Sequence, residues 1–333
     1  MADVVLKIRD LGKKFGKYGV LEDISFNISS GEIFGIIGLT GSGKTTLLNL
    51  LIGFIKPTSG DVFFKQHHLL DESKDDNSLF RSVYKSGFEM KRVVGFATQE
   101  PSFYKKLSCE ENIDYFGSLY GLKKKSRRIN AEILLKLMGL YEFRKLDAGE
   151  LSGGMQKRLD IACALIHDPH LLILDEPTAD LDPISREKMW SLIKKINAKG
   201  TTIILTSHLL EELEQSCSRI GVLHDKKLVN IGTPEDMRRK YAKYYDLWLR
   251  TRSSDYEELK TQLEKLKDKY EIKNIESHGT RLVVKSANPN HLLYHVMDIL
   301  AKSGETLLEV SLTKSMLKDV MESIIMKDKT AKK

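Results

Sequence analysis

Three short runs place chemically capable side chains at telling intervals: GLTGSGKTT at Gly38 to Thr46, LSGGM at Leu151 to Met155, and LLILDEPTADLD at Leu171 to Asp182. In the first, Gly38, Gly41 and Gly43 permit positive φ and close backbone approach, so successive amide N–H groups can converge on an anion. Thr40, Ser42 and Thr46 complete the cradle, Lys44 adds a point charge suited to β and γ phosphates, and Thr45 sets a hydroxyl where magnesium would sit. A helix opening near Thr46 directs its positive end at the same anion. A glycine turn with an incidental lysine is the plainer alternative. Against it, the apolar residues Ile33, Phe34, Ile36 and Ile37 before the loop, and helix formers after it, supply the strand, loop and helix that a phosphate cradle requires.

The other two runs extend this chemistry. Leu171 to Leu174 reads as a strand buried on both faces of a parallel sheet, with its carboxylates emerging at the end. Asp175 can hold magnesium through water, and Glu176 can polarise an attacking water. An Asp-Glu pair also serves as a helix cap, a reading that loses ground beside the phosphate loop. Ser152, Gly153 and Gly154 precede the helical run Met155 to Ile166 and offer a second helix start with free amides. In this order the three runs point to an ATP hydrolase that drives a partner.

On these motifs the chain resembles the nucleotide-binding subunits of ATP-binding-cassette (ABC) transporters, because LSGGMQ lies between the phosphate loop and LLILDEPTADLDP. The resemblance implies ATP and Mg2+ as ligands, with each ATP sandwiched between two cassettes arranged head to tail. It implies that Ser152, Gly153 and Gly154 cap the γ-phosphate bound by the opposite subunit. It assigns Phe15 in KKFG to stacking on adenine, and Gln99 in VVGFATQEP to magnesium, the attacking water and the membrane partner. His208 in TTIILTSH falls to the γ-phosphate, and Asp182 to the loop from Ala179 through which the subunits communicate. The implied catalytic set is thus Lys44, Gln99, Glu176 and His208, and the metal set Thr45, Gln99 and Asp175. Taken alone, Phe15 reads equally as core packing, Gln99 as an ordinary loop amide and His208 as a structural histidine. Two positions depart from the pattern. Met155 stands where many members carry glutamine, a choice familiar in the exporter-type branch, and Asp180 adds a carboxylate near Asp182 and the dimer interface.

The chain has 333 residues, 41% hydrophobic and 30% charged, the balance of a folded globular protein. That length holds one cassette of about 230 residues and a smaller unit of about 80 to 100. No window approaches the roughly 18 consecutive apolar residues of a membrane span. The best stretch, Leu47 to Ile55, is broken by Asn49 and Gly53, so this chain is not the translocating pore. The start MADVVLKIRD lacks the layout of a secretion signal, and Cys109, Cys163 and Cys217 form no CxxC pair. Reduced thiols and a peripheral place on the cytoplasmic face of the membrane are expected. A net charge of +7 would suit nucleic acid or an anionic membrane surface. Lysines are interspersed with acids, however, and the dense groups Lys123 to Arg128 and Lys327 to Lys333 carry no interleaved aromatics, so no direct nucleic-acid partner is expected.

The elements that must position these residues follow from periodicity. Strands are expected at Val4 to Ile8, Gly19 to Asn27 and Ile33 to Ile37, the family's small antiparallel sheet. The fold class is α/β: a phosphate-loop NTPase cassette over 1–233, with a parallel sheet core and a helical subdomain at about 100–160. The polar stretch 66–92 reads as a surface insertion, and its adjacent His67 and His68 point apart, making a poor metal pair. Ser108 with Glu111 predicts a capping box. The resemblance sets this helix where a membrane subunit docks, making Phe103, Tyr104, Tyr115 and Phe116 candidates for an apolar groove or plain core.

Residues 234–333 change character, with a β-α-β-β-α-β pattern that looks like a ferredoxin-like α+β domain. Strands are expected at Tyr244 to Thr251, Ile272 to Ser277, Arg281 to Ser286 and Leu307 to Leu312. Ser254 with Glu257 predicts a capping box for a helix reaching Tyr270, and Asn288 and Pro289 open a second helix that Gly304 ends. LTKSMLKDVMESII matches loosely the short helical motif ending many exporter-type extensions, whose role is open between dimer brace, partner contact and ligand sensor. The favoured reading is the ATPase subunit of an exporter-type transporter, dimeric with a second copy or a paralogue and joined to separate membrane-spanning permease subunits. The rivals are a soluble cassette ATPase on ribosomes or DNA and an iron-sulfur assembly scaffold. The single cassette without a long coiled-coil insert disfavours the first rival, and the C-terminal domain disfavours the second.

Overall fold

Apolar runs without polar alternation become strands covered on both faces. Strands β3 (Ile33–Ile37), β7 (Leu171–Leu174) and β8 (Thr202–Ser207) are buried at every residue. With β6 (Val94–Ala97) and β9 (Arg219–His224) they form a parallel array, edged by the antiparallel β10 (Lys227–Gly232), in the order β10-β9-β3-β8-β7-β6. The computed structural model describes residues 3–65, 79–241 and 244–314, in two compact units, Met1–Thr233 and Pro234–Lys333.

In the first unit, β1 (Val4–Phe15), β2 (Tyr18–Ser29), β4 (Ser59–Lys65) and β5 (Phe80–Ser82) make an antiparallel sheet ordered β2-β1-β4-β5. Its inward residues Leu6, Ile8, Ile24 and Ile28 share one core with Leu47, Leu48, Leu50 and Leu51 of helix α1 (Lys44–Leu51) and with Phe34 and Ile36 of β3. Each such side chain contributes roughly 1.5–3 kcal/mol through burial, so the phosphate loop is held between two anchored elements. The helical subdomain comprises α3 (Cys109–Leu119), α4 (Lys124–Leu137) and α5 (Gly153–Leu165). Helices α6 (Pro183–Asn197) and α7 (Leu210–Ser216) follow strands β7 and β8.

Several sequence expectations are corrected: β3, expected in the small antiparallel sheet, instead pairs in parallel with β8 and β9 inside the main sheet, as its burial at every residue requires. Helix α1 begins at Lys44 rather than near Thr46, because Gly43 at φ 100° turns the loop directly into the first helical turn. Residues 79–93 are not a surface insertion. Strand β5 pairs with β4 through Phe63 and Ser82, and helix α2 (Gly87–Val93) buries Met90 beside Val83 in the core. His67 and His68 lie outside the described residues.

In the second unit, helix α8 (Pro234–Tyr241) precedes β11 (Tyr245–Thr251), α9 (Glu257–Glu264), β12 (Ile272–His278), β13 (Arg281–Ser286), α10 (Pro289–Lys302) and β14 (Leu307–Lys314). The sheet is antiparallel throughout, in the order β12-β13-β11-β14. Its own core joins Leu247, Leu249, Leu259, Leu263, Val284 and Val296. The Ser254–Glu257 capping box does not form. Ser254 sits at φ 57° with its hydroxyl toward the Thr251 carbonyl at 3.5 Å, and Asp255 accepts from the Glu257 amide at 3.2 Å instead. Helix α9 ends at Glu264, although Tyr270 still reaches the core through the turns that follow. The motif continuing from Lys314 lies outside the described residues.

No helix among the described residues is long and apolar enough to cross a membrane. Cys109, Cys163 and Cys217 are free and buried, and desolvation raises all three thiol pKa values.

Candidate active site

The loop after β3 is shaped by its glycines. Gly41 and Gly43 stand at φ 79° and 100°, conformations that side chains rarely adopt. A Cβ on Gly38 would lie 2.5 Å from Ser42 Oγ and 2.6 Å from the Leu223 carbonyl oxygen, so only glycine fits there. The Ser42 amide donates to the Leu39 carbonyl at 3.0 Å and closes the turn. Gly43 caps α1 without a side chain, so no hydroxyl or carboxylate competes for the amides of the first turn. Lys44 is only 6% exposed; its Nζ donates to the Gly38 and Leu39 carbonyls at 3.0 and 3.4 Å and pairs with Glu176 Oε1 at 3.4 Å.

The acids arrive from β7 as its burial predicts. Asp175 is buried, and Thr206 of β8 donates its hydroxyl to Asp175 Oδ1 at 2.5 Å while accepting from the Glu176 amide at 2.9 Å. One hydroxyl therefore fixes the side chain of the first acid and the backbone of the second. Glu176 adopts φ 48°, a strained choice for a residue with a side chain and one that clusters at functional sites. Its second oxygen, Oε2, lies 3.2 Å from His208 Nδ1, so the carboxylate sits between an ammonium and an imidazole.

A cleft of about 430 Å³ brings together Thr40, Gly41, Gly43, Lys44, Thr45 and Thr46 with Gln99, Glu176 and His208. Its donor set suits a hard cation: the Thr45 hydroxyl and the Gln99 amide oxygen line it, and the buried Asp175 carboxylate, next to Glu176, adds a third oxygen donor nearby in sequence. Val20, Ala179 and Asp180 also line it. Val20 comes from the antiparallel sheet and carries no sequence signal. Asp180, noted in the sequence as an extra carboxylate near the interface, stands on the cleft wall at φ 61°. Glu212 of α7 accepts from Thr178 Oγ1 and Trp190 Nε1, each at 2.8 Å, and ties this wall to its surroundings.

Other predicted residues lie away from the cleft lining. Ser152 caps α5, accepting from the Met155 amide at 3.4 Å, and both it and Gly153 are exposed. Gly154 is half-buried near Ser185. Asp182 caps α6 through the Ser185 amide at 3.0 Å, and hydrogen bonding from the Ser185 hydroxyl, with that amide, holds its carboxyl below the usual range. Phe15 is 49% exposed, with Lys13 Nζ 4.8 Å from its ring centroid, so it is not a core residue. Phe103 is core, whereas Tyr104 and Tyr115 are exposed, their rings edge to face at 5.0 Å.

Residues 21–179 match the family described as ABC transporter. Over 246 residues the chain is 34% identical to the bacitracin transport ATP-binding protein BcrA of Bacillus licheniformis, covering 74% of this chain and 75% of that protein. The chain belongs to the ABC transporter family. It is also 32% identical over 240 residues to the probable multidrug ABC transporter ATP-binding protein YbhF of Escherichia coli (strain K12), covering 72% of this chain but only 39% of that longer relative. Among solved structures, a dimeric post-hydrolysis ATP-binding cassette bound to ADP and Pi superposes with a TM-score of 0.57 at 29% identity, covering 68% of this chain and 98% of that one. The first unit is accordingly an ATP-binding, ATP-hydrolysing ABC cassette.

Proposed function

We propose that this cassette is the ATPase subunit of an export-type ABC transporter, closing head to tail with a second copy or a paralogue and driving separate membrane-spanning permease subunits from the cytoplasmic face. The observation that carries the reading is the separation of two helix starts, one in the cleft and one on the surface. The phosphate loop opens into one cleft, whereas Ser152 and Gly153 lie at the exposed start of another helix, α5, whose later residues are buried. A Cβ on Gly153 would meet nothing within 4 Å, so packing within the chain does not demand glycine there. A ligand arriving from outside would. Relatives named for bacitracin and multidrug transport support export.

In this reading the phosphate-loop amides and Lys44 hold the β and γ phosphates, with Phe15 against adenine. Glu176 orients the attacking water, His208 steadies that carboxylate and meets the γ-phosphate, and Gln99 reports the site to the permease. Ser152, Gly153 and Gly154 of the partner close the other side, next to Asp182. Thr45, Gln99 and, through water, Asp175 would hold Mg2+, which neutralises phosphate charge when bound. The barrier falls chiefly by positioning and by fixed positive charge around the transferred group. The second unit, ferredoxin-like by its strand order, is an accessory domain over 234–333.

Glu176→Gln tests this assignment. It should bind ATP and form a stable dimer in light scattering, while phosphate release falls by about a hundredfold or more. Undiminished release would remove Glu176 from its role; a variant that stays monomeric with Mg2+ and ATP bound would remove the sandwich.

A further inference from the structure

Helix α5 carries two polar side chains that reach across to the loop of Gln99. Asp160 is 2% exposed, and its Oδ1 accepts from both the backbone amide and the hydroxyl of Ser102, each at 2.8 Å. Lys157, three residues earlier on the same helix face, donates its ammonium to the carbonyl oxygen of Gln99. The loop leaving β6 is thus fastened at residues 99 and 102 to one helix. Asp160 is flanked by Leu159, Ile161, Ala162, Cys163 and Ala164, all buried, while the Thr98 backbone and the Lys157 charge favour its ionised form. A carboxylate costs free energy in such surroundings, where an apolar residue would pack without penalty. What an apolar side chain could not do here is hold the Ser102 amide and hydroxyl, so the carboxylate fixes where the loop runs.

The other end of α5 gives this fixation a use. Ser152, Gly153 and Gly154 lie five residues or fewer before Lys157, within about 8 Å along the helix axis. We propose that Asp160, assisted by Lys157, is a positioning residue that locks the Gln99 loop to the signature helix, so that the group facing one ATP and the cap facing the other move as one body. The inference rests on the transporter reading above and deepens it: engagement of the cap by the partner's nucleotide would set the position of Gln99 in its own site.

The test uses the full chain with three readouts: phosphate release, affinity for a fluorescent ATP analogue, and amide exchange of the 98–102 segment. Asp160→Ala should accelerate exchange in that segment and lower turnover about tenfold or more, with ATP affinity held within about twofold. Asp160→Asn keeps an oxygen acceptor for Ser102 and should restore turnover to within about threefold of wild type. Undiminished turnover in Asp160→Ala would overturn the proposal. A parallel loss of affinity and turnover that Asp160→Asn does not rescue would overturn it too, because that is the signature of a merely structural staple. A wild-type chain that turns over no ATP would count against the transporter reading, and the exchange data would then decide the lock alone: unaltered exchange in Asp160→Ala overturns it.

Discussion

Helices α1 and α3 begin in opposite ways. At the start of α3, Ser108 Oγ accepts from the Glu111 amide at 3.3 Å, and the Glu111 carboxylate accepts from the Ser108 amide at 2.8 Å. The helix satisfies its own donors. At the start of α1, Gly43 has no side chain to offer, and the donors are left for a guest. Helix α5 stands between them: Ser152 accepts from the Met155 amide at 3.4 Å, much as Ser108 does at 3.3 Å, but Met155 occupies the third position, so no acid or amide returns a bond to complete a capping box. The comparison teaches that a helix start which its own sequence leaves uncapped is a place to look for a ligand, and a self-capped one is architecture.

The most severe way to break the contrast is Lys44→Ala, which empties the charged end of the open helix start. Turnover should fall about a hundredfold or more, read as phosphate release, while melting changes little. A smaller effect comes from pH at the far end of α5. His167 stacks on Tyr120 at 3.6 Å and meets the Val94 carbonyl at 3.2 Å, and burial pushes its pKa down to about 4. The unfolded chain protonates this ring below its ordinary 6.5, whereas the folded chain resists until about 4. The stability contribution is therefore full above pH 6.5 and lost as the pH falls toward 4, on the order of 2 kcal/mol. Urea titrations across that window should show His167→Gln losing less stability than wild type; parallel losses would show that this ring is not responsible.

Ser152→Ala and Ser108→Ala sharpen the comparison most directly. The first should lower turnover about tenfold and leave the urea midpoint almost unmoved, because an exposed cap with no returning bond contributes little. The second should cost about 1 kcal/mol of stability and leave turnover per folded molecule within about twofold. If the two serines exchanged these phenotypes, the distinction between open and self-capped starts would fail.

Much of the cassette was legible because its motifs act locally. A strand of four apolar residues ending in Asp175 and Glu176 states its own burial and direction, and the glycines of the phosphate loop state their own φ. Phe15 is ambiguous in sequence because an aromatic residue suits a core or a base equally; its exposure at the end of β1 excludes the core. Thr206 stayed hidden because its role depends on β8 lying beside β7, a pairing between residues far apart in sequence. Val20 escaped for the same reason. In residues 79–93 polar neighbours conceal Val83 and Met90, whose burial is set by β4 and α1 rather than by any local period. Ser254 failed as a cap because the pattern of a capping box does not specify the φ of its first residue.

The concealment of all three thiols has a practical consequence. Native protein should present no fast-reacting sulfur to a maleimide, so a single cysteine introduced in place of exposed Tyr294 would take a fluorophore without first stripping the natural ones. Modification of Cys109, Cys163 or Cys217 would then serve as a clock for unfolding, running separately from any signal of closure between two cassettes.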